Sequence, residues 1–155
     1  MKGNDKIIER LNARLADELT AINQYMVHSE MCDNWGYEKL HAAIEKRAIT
    51  EMKHAEKLIA RILFLEGLPI VSELNQMHIG ADAEAQLKSD WQAEHDAIQE
   101  DNADIRAAAE YGDNGTHQLL KSILIDEEDH IDWIETQLEQ IAQLGIQNYL
   151  VEQVG

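Results

Sequence analysis

Two short spacings in this sequence place a glutamate and a histidine where both could bind one metal ion. They are Glu51-x-x-His54 and Glu127-x-x-His130, and two further glutamates, Glu18 and Glu94, lie at matching distances before them. Residues three apart lie on the same face of an α-helix, so each pair would converge on one point. Carboxylate and imidazole donors together suit iron or manganese. The spacing therefore predicts a metal site.

Each of the four glutamates interrupts an apolar stripe with the three-or-four spacing of a buried helical face. The stripes comprise Leu11, Leu15, Ile22 and Tyr25 around Glu18; Ile44, Ala48, Ala55 and Leu58 around Glu51; Leu87, Trp91, Ile98 and Ile105 around Glu94; and Leu120, Ile123, Ile134 and Leu138 around Glu127. A buried carboxylate without a partner is unfavourable, and four at comparable height need a shared cation. The residues alone leave a buried polar network as the alternative.

A repeat of 76 residues strengthens the metal interpretation. Adding 76 to Glu18, Glu51 and His54 gives Glu94, Glu127 and His130, and the same shift carries Leu11 to Leu87 and Ile22 to Ile98. Two related helical hairpins packed face to face would place six ligands around two metal ions. A third match, Glu38-x-x-His41, has no repeat partner and is interpreted as a chance occurrence.

The elements that must position these residues are predicted to be helices. Ala, Leu, Glu, Lys and Gln dominate, and no alternating β-branched run appears. Turn signals divide the chain into helices at about 5–34, 37–66, 82–111 and 115–144, with a short helix at about 146–154. The segment 67–81 is long enough to cross the bundle from end to end. The prediction is a single all-α domain over 1–155, a four-helix bundle with one long crossover and a short fifth C-terminal helix.

Composition excludes several classes of protein. The chain has 13 basic and 30 acidic side chains, a net charge of -17, which would repel nucleic acid and anionic membrane surfaces. Cys32 is the only cysteine, so an intrachain disulfide and a thiolate metal cluster are both excluded. The start lacks the apolar core of a signal peptide, and the apolar stretch 62–71 is too short to span a bilayer. We therefore expect a cytoplasmic protein.

Several segments together resemble the bacterioferritins, the haem-containing members of the ferritin superfamily. They are Met1-Lys2-Gly3, Ala21-Ile22-Asn23-Gln24-Tyr25, Met52-Lys53-His54-Ala55, the segment from Arg61 to Pro69, His130-Ile131-Asp132-Trp133 and Gln147-Asn148-Tyr149-Leu150. The resemblance covers nearly the whole chain. It implies a ferritin-like four-helix bundle and a hollow 24-subunit shell, built from dimers, that stores ferric mineral after Fe(II) is oxidised with dioxygen or peroxide.

The resemblance also assigns residues to the di-iron centre. Six residues match the family's ligands to two iron ions per subunit: Glu18, Glu51, His54, Glu94, Glu127 and His130. Glu51 and Glu127 would bridge the ions, and Glu18 and Glu94 would be terminal ligands. Tyr25, on the same stripe as Glu18, would donate an electron during oxidation or would simply belong to the core. The same two roles are open to Trp133.

A haem site follows from the resemblance alone. The family holds a b-type haem between two subunits with one methionine from each, and Met52 occupies that position here. The positions near the haem correspond to Leu19, Ile22, Asn23, Met26 and Ile49. The resemblance further implies a small iron–sulfur ferredoxin as the electron donor for iron release.

The chain departs from the family pattern on the inner surface. Lys46 and Thr50 stand where well-known members have a histidine and an aspartate that form an extra iron site. Lysine repels Fe(II), which argues against that accessory site here. Leu58 replaces an aromatic residue of some members.

Three other functions are alternatives to the oxidation of Fe(II). A peroxide-reducing rubrerythrin usually carries a cysteine-rich iron domain, which a single cysteine excludes. A manganese catalase fits the ligand types but usually has a longer chain. A non-enzymatic acidic bundle leaves the four glutamates in the stripes unexplained. Metal content would separate these readings.

Overall fold

The chain folds into five α-helices without any strand, and the computed structural model describes all 155 residues. The helices are α1 (Asp5–Asn34), α2 (Glu38–Phe64), α3 (Ala83–Glu110), α4 (Asn114–Leu144) and α5 (Ile146–Val151). This confirms the predicted all-α fold with four long helices and a short fifth one. The fifth helix ends at Val151, three residues before the end expected from the sequence.

Polar side chains cap the N-termini of three of the long helices. Asn4 accepts a hydrogen bond from the backbone of Lys6 at 2.7 Å, and Asp82 accepts one from Ala85 at 2.8 Å. Asp113 does the same for Thr116 at 3.0 Å. Each such cap satisfies an N–H that the helix leaves free and contributes roughly 1 kcal/mol. The short α1–α2 connection turns through Gly36, whose φ of 84° suits glycine.

The helices form two hairpins. α1 packs chiefly against α2 and α3 chiefly against α4, while fewer contacts join α1 to α3 and α2 to α4. The apolar core consists of two separate clusters, one around Leu11 and Leu58 and one around Tyr25 and Ile134. Glu18, Glu51, Glu94 and Glu127 belong to neither cluster and lie at intermediate positions along their helices. None of the five helices combines the length and apolarity needed to cross a bilayer.

The crossover between the hairpins runs along α1 and is held by four α1 side chains spaced along one side of that helix. The backbone N–H groups of crossover residues donate to the α1 side chains: Ile70 to Asn12 at 2.9 Å, Asn75 to Thr20 at 2.8 Å, His78 to Gln24 at 3.0 Å and Gly80 to His28 at 3.0 Å. These bonds satisfy a segment that has no secondary structure of its own. They also fix the crossover over the groove between α1 and α3.

His28 anchors the far end of this segment. Its imidazole is fully buried, its Nε2 accepts the Gly80 N–H, and its Nδ1 lies 2.9 Å from Asp90 Oδ1. Accepting at Nε2 leaves the proton on Nδ1, which donates to Asp90. Gly80 has no room for a side chain because a Cβ would clash with the backbone nitrogen of Gln86. The sequence showed no partnered spacing for His28, since these partners lie more than 50 residues away.

The buried face of α3 differs from the predicted stripe. Trp91, Ile98 and Ile105 are only half-buried, whereas Asp90, Asp101 and Asp104 are buried. Ion pairs explain the difference in part: Arg14 of α1 is itself buried, and its Nε lies 2.9 Å from Asp104 Oδ2. Paired charges can be buried where an unpaired aspartate could not.

Candidate metal centre

Four of the six predicted ligands converge on one point in the middle of the bundle. Glu18 of α1, Glu51 and His54 of α2 and Glu127 of α4 each offer one ligand atom, and these atoms all lie within 4.8 Å of one another. Every one of the four side chains is at most 5% exposed. The fold thus collects residues that are far apart in sequence, because each sits near the middle of a helix of similar length.

The other two predicted ligands, Glu94 and His130, bond to each other beside this cluster. His130 Nδ1 lies 2.9 Å from Glu94 Oε1, and the Tyr25 hydroxyl donates to the same oxygen at 2.5 Å. Arg47 connects the two groups, since its Nη2 lies 2.5 Å from Glu51 Oε1 and 3.6 Å from Glu94 Oε1. Tyr25, Glu94 and the three glutamates of the cluster line one cavity.

Five of the predicted donor atoms are buried without a hydrogen-bond partner. They are Glu18 Oε2, Glu51 Oε1, His54 Nδ1, Glu94 Oε2 and Glu127 Oε2. An unsatisfied buried polar atom costs roughly 1–3 kcal/mol, more when the group is charged. Four carboxylate oxygens and one imidazole nitrogen aimed into one region are donors that suit divalent iron or manganese. The residues present therefore fit a metal centre.

His54 is oriented by a carboxylate outside the cluster. Its Nε2 lies 2.7 Å from Asp126 Oδ2, while its Nδ1 lies 3.5 Å from Glu51 Oε2 and 3.6 Å from Glu18 Oε2. Burial lowers the pKa of His54, but the hydrogen bond and charge of Glu18 and the Asp126 bond outweigh it, so the pKa is raised. A carboxylate behind a histidine commonly fixes the nitrogen that faces a metal.

The pKa values of the carboxylates in and beside the centre are shifted in different directions. Burial, together with the adjacent Asp101 carboxylate, raises the pKa of Glu127 well above its usual value. Burial likewise raises the pKa of Asp101 to about 6. Burial also opposes ionisation of Glu94, but the His130 hydrogen bond and the Arg47 charge prevail and lower its pKa. Close acidic groups with divergent pKa values are typical of functional sites.

Two cavities flank the centre on opposite sides. One, of about 540 Å³, lies between α1 and α3 beneath the crossover, and it extends from the ligands to exposed residues such as Lys88 and Gln92. Asn75 and His78 of the crossover line it. The other, of about 520 Å³, lies between α2 and α4 and is lined by Lys46, Arg47, Thr50, Asp126, Asp129, His130 and Trp133, with Ala43. The centre is thus reachable from two faces of the bundle.

The remaining residues singled out in the sequence occupy distinct surroundings. Lys46 is exposed, and Thr50 uses its hydroxyl to donate to the Lys46 carbonyl at 3.2 Å. Leu58 is fully buried in the apolar core. Trp133 is half-buried and stacks on His130 with 6.0 Å between ring centroids. His41 bonds to Ser29 and lies with Glu30 and Glu45 on the surface, so Glu38 is not its partner.

The residues that match the family's haem surroundings form an apolar surface on α1 and α2. Met52 is 46% exposed, Met26 50% and Ile49 45%, while Leu19, Ile22 and Asn23 are half-buried. Large exposed apolar side chains grouped in this way are unusual on a monomer and mark a contact surface. Met52 follows Glu51 directly yet is solvent-exposed, because consecutive side chains lie about 100° apart around a helix, and the two therefore lie on different faces of α2.

Sequence reasoning missed three residues beside the centre: Arg47, Asp101 and Asp126. Arg47 lies four residues before Glu51, and Asp101 lies seven after Glu94, so both share a helical face with a predicted ligand. That spacing could have indicated that both side chains lie beside the predicted ligands. Asp126 precedes Glu127 and carried none, because its partner His54 is 72 residues away.

Comparisons with known proteins agree on one family. The model of the ferritin-like domain matches residues 8–144. The chain is 42% identical over 149 residues to the bacterioferritin of Rhodobacter capsulatus, which covers 96% of this chain and 92% of that protein. It is 40% identical over 155 residues to a bacterioferritin of Mycobacterium tuberculosis, covering 100% of this chain and 98% of the relative. A bacterioferritin of Brucella melitensis is 40% identical over 149 residues, 96% of this chain and 92% of that protein.

Proposed function

This chain belongs to the bacterioferritin family of ferritin-like proteins, and on that premise we propose that it stores iron and oxidises Fe(II) at the buried centre. The observation that carries the proposal is the set of five buried donor atoms, from Glu18, Glu51, His54, Glu94 and Glu127, that make no hydrogen bond. A merely structural polar network would satisfy these atoms internally. A pair of divalent cations would satisfy them all.

The reaction has Fe(II) as its substrate. Two Fe(II) ions lose one electron each, and dioxygen accepts both electrons with two protons to give hydrogen peroxide, or peroxide accepts them to give water. The chain contributes binding and orientation: by resemblance, Glu51 and Glu127 would be the ligands shared by both ions, and Glu18, His54, Glu94 and His130 would complete the site.

The surrounding residues determine the protonation of Glu127 and the orientation of the His54 ring. Glu127 must release its proton before both of its oxygens can bind, because its raised pKa favours the neutral carboxyl when no cation is near. Asp126 holds the His54 ring so that Nδ1 faces Glu18 and Glu51. Tyr25 touches the ligand Glu94, and it would supply an electron and its phenol proton when hydrogen peroxide, one further Fe(II) and one more proton react to give water, which leaves a tyrosyl radical.

Assembly and haem form the second part of the proposal. The exposed apolar surface around Met52 and Met26 would pair with the same surface of a second copy, as an isologous interface requires. Met52 from each copy would ligate the iron of a shared b-type haem. Twelve such dimers would form the 24-subunit shell, and a small iron–sulfur ferredoxin would supply electrons through the haem for iron release. We place this assembly in the cytoplasm.

One experiment tests the oxidation directly. Two Fe(II) per chain are added to metal-free protein in air, and near-ultraviolet absorbance is followed beside a Glu127→Ala, His130→Ala double variant. We expect a fast rise in the parent that slows at least a hundredfold in the double variant. Equal slow rises in both would contradict a ferroxidase centre and would direct attention to manganese or to a structural role.

A matched control separates ligand loss from loss of negative charge. Glu128→Ala, Asp132→Ala removes two exposed carboxylates on the same turns of α4. This control should oxidise Fe(II) at the parent rate within about twofold.

A further inference from the structure

Arg47 places a positive charge inside the proposed di-iron centre. Its side chain is 8% exposed and lies one helical turn before Glu51. Its Nη2 lies 2.5 Å from Glu51 Oε1 and 3.6 Å from Glu94 Oε1, and its Nη1 donates to the Asp126 carbonyl at 2.9 Å. The guanidinium therefore contacts one ligand from each half of the centre.

Charge, more than hydrogen bonding, holds this guanidinium in place. Its Nε and Nη2 are buried without a well-formed hydrogen bond, and so is Glu51 Oε1 despite the short contact. A guanidinium normally forms a paired fork with a carboxylate. Here the fork is incomplete, and the contact is an ion pair in a region rich in buried carboxylates.

The carboxylates that Arg47 neutralises are the ones proposed to bind metal. A guanidinium and a divalent ion cannot both lie beside Glu51 Oε1 without strong repulsion, since two positive charges a few Å apart repel more strongly in a buried site than in water. Arg47 must therefore move away when a metal ion binds. If it stays in place, it lowers the affinity of the centre for metal.

The structure offers a place for the displaced side chain. Arg47 lines the cavity between α2 and α4, together with the exposed Asp129 carboxylate and Thr50. A long side chain can change rotamer into that space while keeping its charge solvated. The same cavity is the one that Lys46 borders, so both basic groups lie on one side of the centre.

We propose that Arg47 is a displaceable counter-cation of the centre: it neutralises Glu51 and Glu94 when no metal is bound and competes with divalent cations for them. Its consequence is weaker binding of divalent cations than the same ligands would give without Arg47. This inference rests on the proposed function, because it takes Glu51 and Glu94 as metal ligands.

The test measures metal binding and not turnover. Metal-free parent, Arg47→Gln, Arg47→Lys and Lys46→Gln proteins are titrated with Co(II), a divalent probe that air does not readily oxidise at this type of site, and heat and visible absorbance are recorded. Lys46→Gln is the matched control, since it removes the same charge from the adjacent exposed position. Circular dichroism verifies that each variant is folded.

We expect Arg47→Gln to bind two Co(II) per chain at least tenfold more tightly than the parent. Lys46→Gln and Arg47→Lys should stay within about threefold of the parent, because the first leaves the buried charge intact and the second retains it. Thermal unfolding adds a second signature: Arg47→Gln should have a lower Tm than the parent without Co(II) and a larger rise in Tm when Co(II) is added.

The outcomes distinguish this inference from the proposed function. Unchanged or weaker Co(II) binding in Arg47→Gln, with two ions bound by the parent, would overturn the counter-cation role and leave the metal centre standing. Equal tightening in Arg47→Lys would overturn it too, because the cause would then be shape and not charge. A parent that binds no Co(II) at these residues would overturn both proposals.

Discussion

The hydroxyl of Tyr25 donates a 2.5 Å hydrogen bond to Oε1 of Glu94, the same oxygen that lies 2.9 Å from His130 Nδ1. The Tyr25 ring also meets the His130 ring edge-on, with 5.4 Å between centroids. Burial and the Glu94 charge raise the pKa of Tyr25 well above its usual value, so the phenol keeps its proton. Tyr25 thus connects the apolar core to a proposed metal ligand.

Replacing Tyr25 with phenylalanine should remove this bond and leave the ring in place. A buried hydrogen bond to a charged group contributes roughly 1.5–3 kcal/mol, so we expect the free energy of unfolding of metal-free protein to fall by about that amount. Urea unfolding measures it, and Tyr111→Phe, at a half-exposed site, should change it by less than about 0.5 kcal/mol.

The same variant tests the electron-donor role. Rapid freezing after Fe(II) and air are mixed should trap a tyrosyl radical signal in the parent that is absent from Tyr25→Phe. A radical of equal intensity in the variant would show that another residue supplies the electron, and Trp133, stacked on His130, would be the next candidate.

Asp101→Asn should stabilise metal-free protein above neutral pH. The pKa of Asp101 is about 6 in the fold against 3.8 in the unfolded chain. The folded state therefore binds the proton more tightly, and this group lowers stability as pH rises from about 4 to 6. The difference of about 2 pKa units corresponds to roughly 3 kcal/mol gained by the variant at pH 8, vanishing towards pH 4.

Unfolding free energies measured from pH 8 to pH 4 would check this sign. The control is Asp132→Asn, which neutralises an exposed carboxylate on α4 and should show a flat, near-zero difference across the range. A variant less stable than the parent at pH 8 would mean that the Asp101 charge is favourable in the fold.

Asp126→Ala should weaken metal binding without removing a ligand. Asp126 holds His54 through a 2.7 Å contact to Nε2, and loss of such an outer partner typically costs 10- to 100-fold in affinity. Co(II) titration measures the effect. Glu128→Ala, which removes an exposed carboxylate two residues further along α4, should change affinity by less than threefold, and an equal loss in both variants would indicate a general charge effect.

Met52→Leu should abolish haem binding, because leucine fills the same space without a sulfur ligand. Purified protein reconstituted with haem should show the intense haem absorbance band in the parent and less than a tenth of it in the variant. Met77→Leu, a change in the crossover, is the control and should retain the band. An unaltered spectrum in Met52→Leu would remove Met52 from the haem proposal.

The sequence alone determined the fold class and which glutamates and histidines to examine. Both rest on local rules: a helix face repeats every three or four residues, so Glu51 with His54 and Glu127 with His130 must share a face wherever the helix packs. The repeat of 76 residues then matched the two hairpins. These features could be predicted because they depend only on helical geometry and on the apolar stripes around the glutamates.

Only the tertiary structure decided what surrounds those residues. Arg47 against Glu94, Asp126 against His54 and Asp101 against Glu127 are contacts between helices. The burial of Asp90 with His28 and of Asp104 with Arg14 is likewise set by partners on another helix. Charge pairing across helices depends on how the helices are rotated and how far they are shifted along one another, and a one-dimensional pattern does not contain that information.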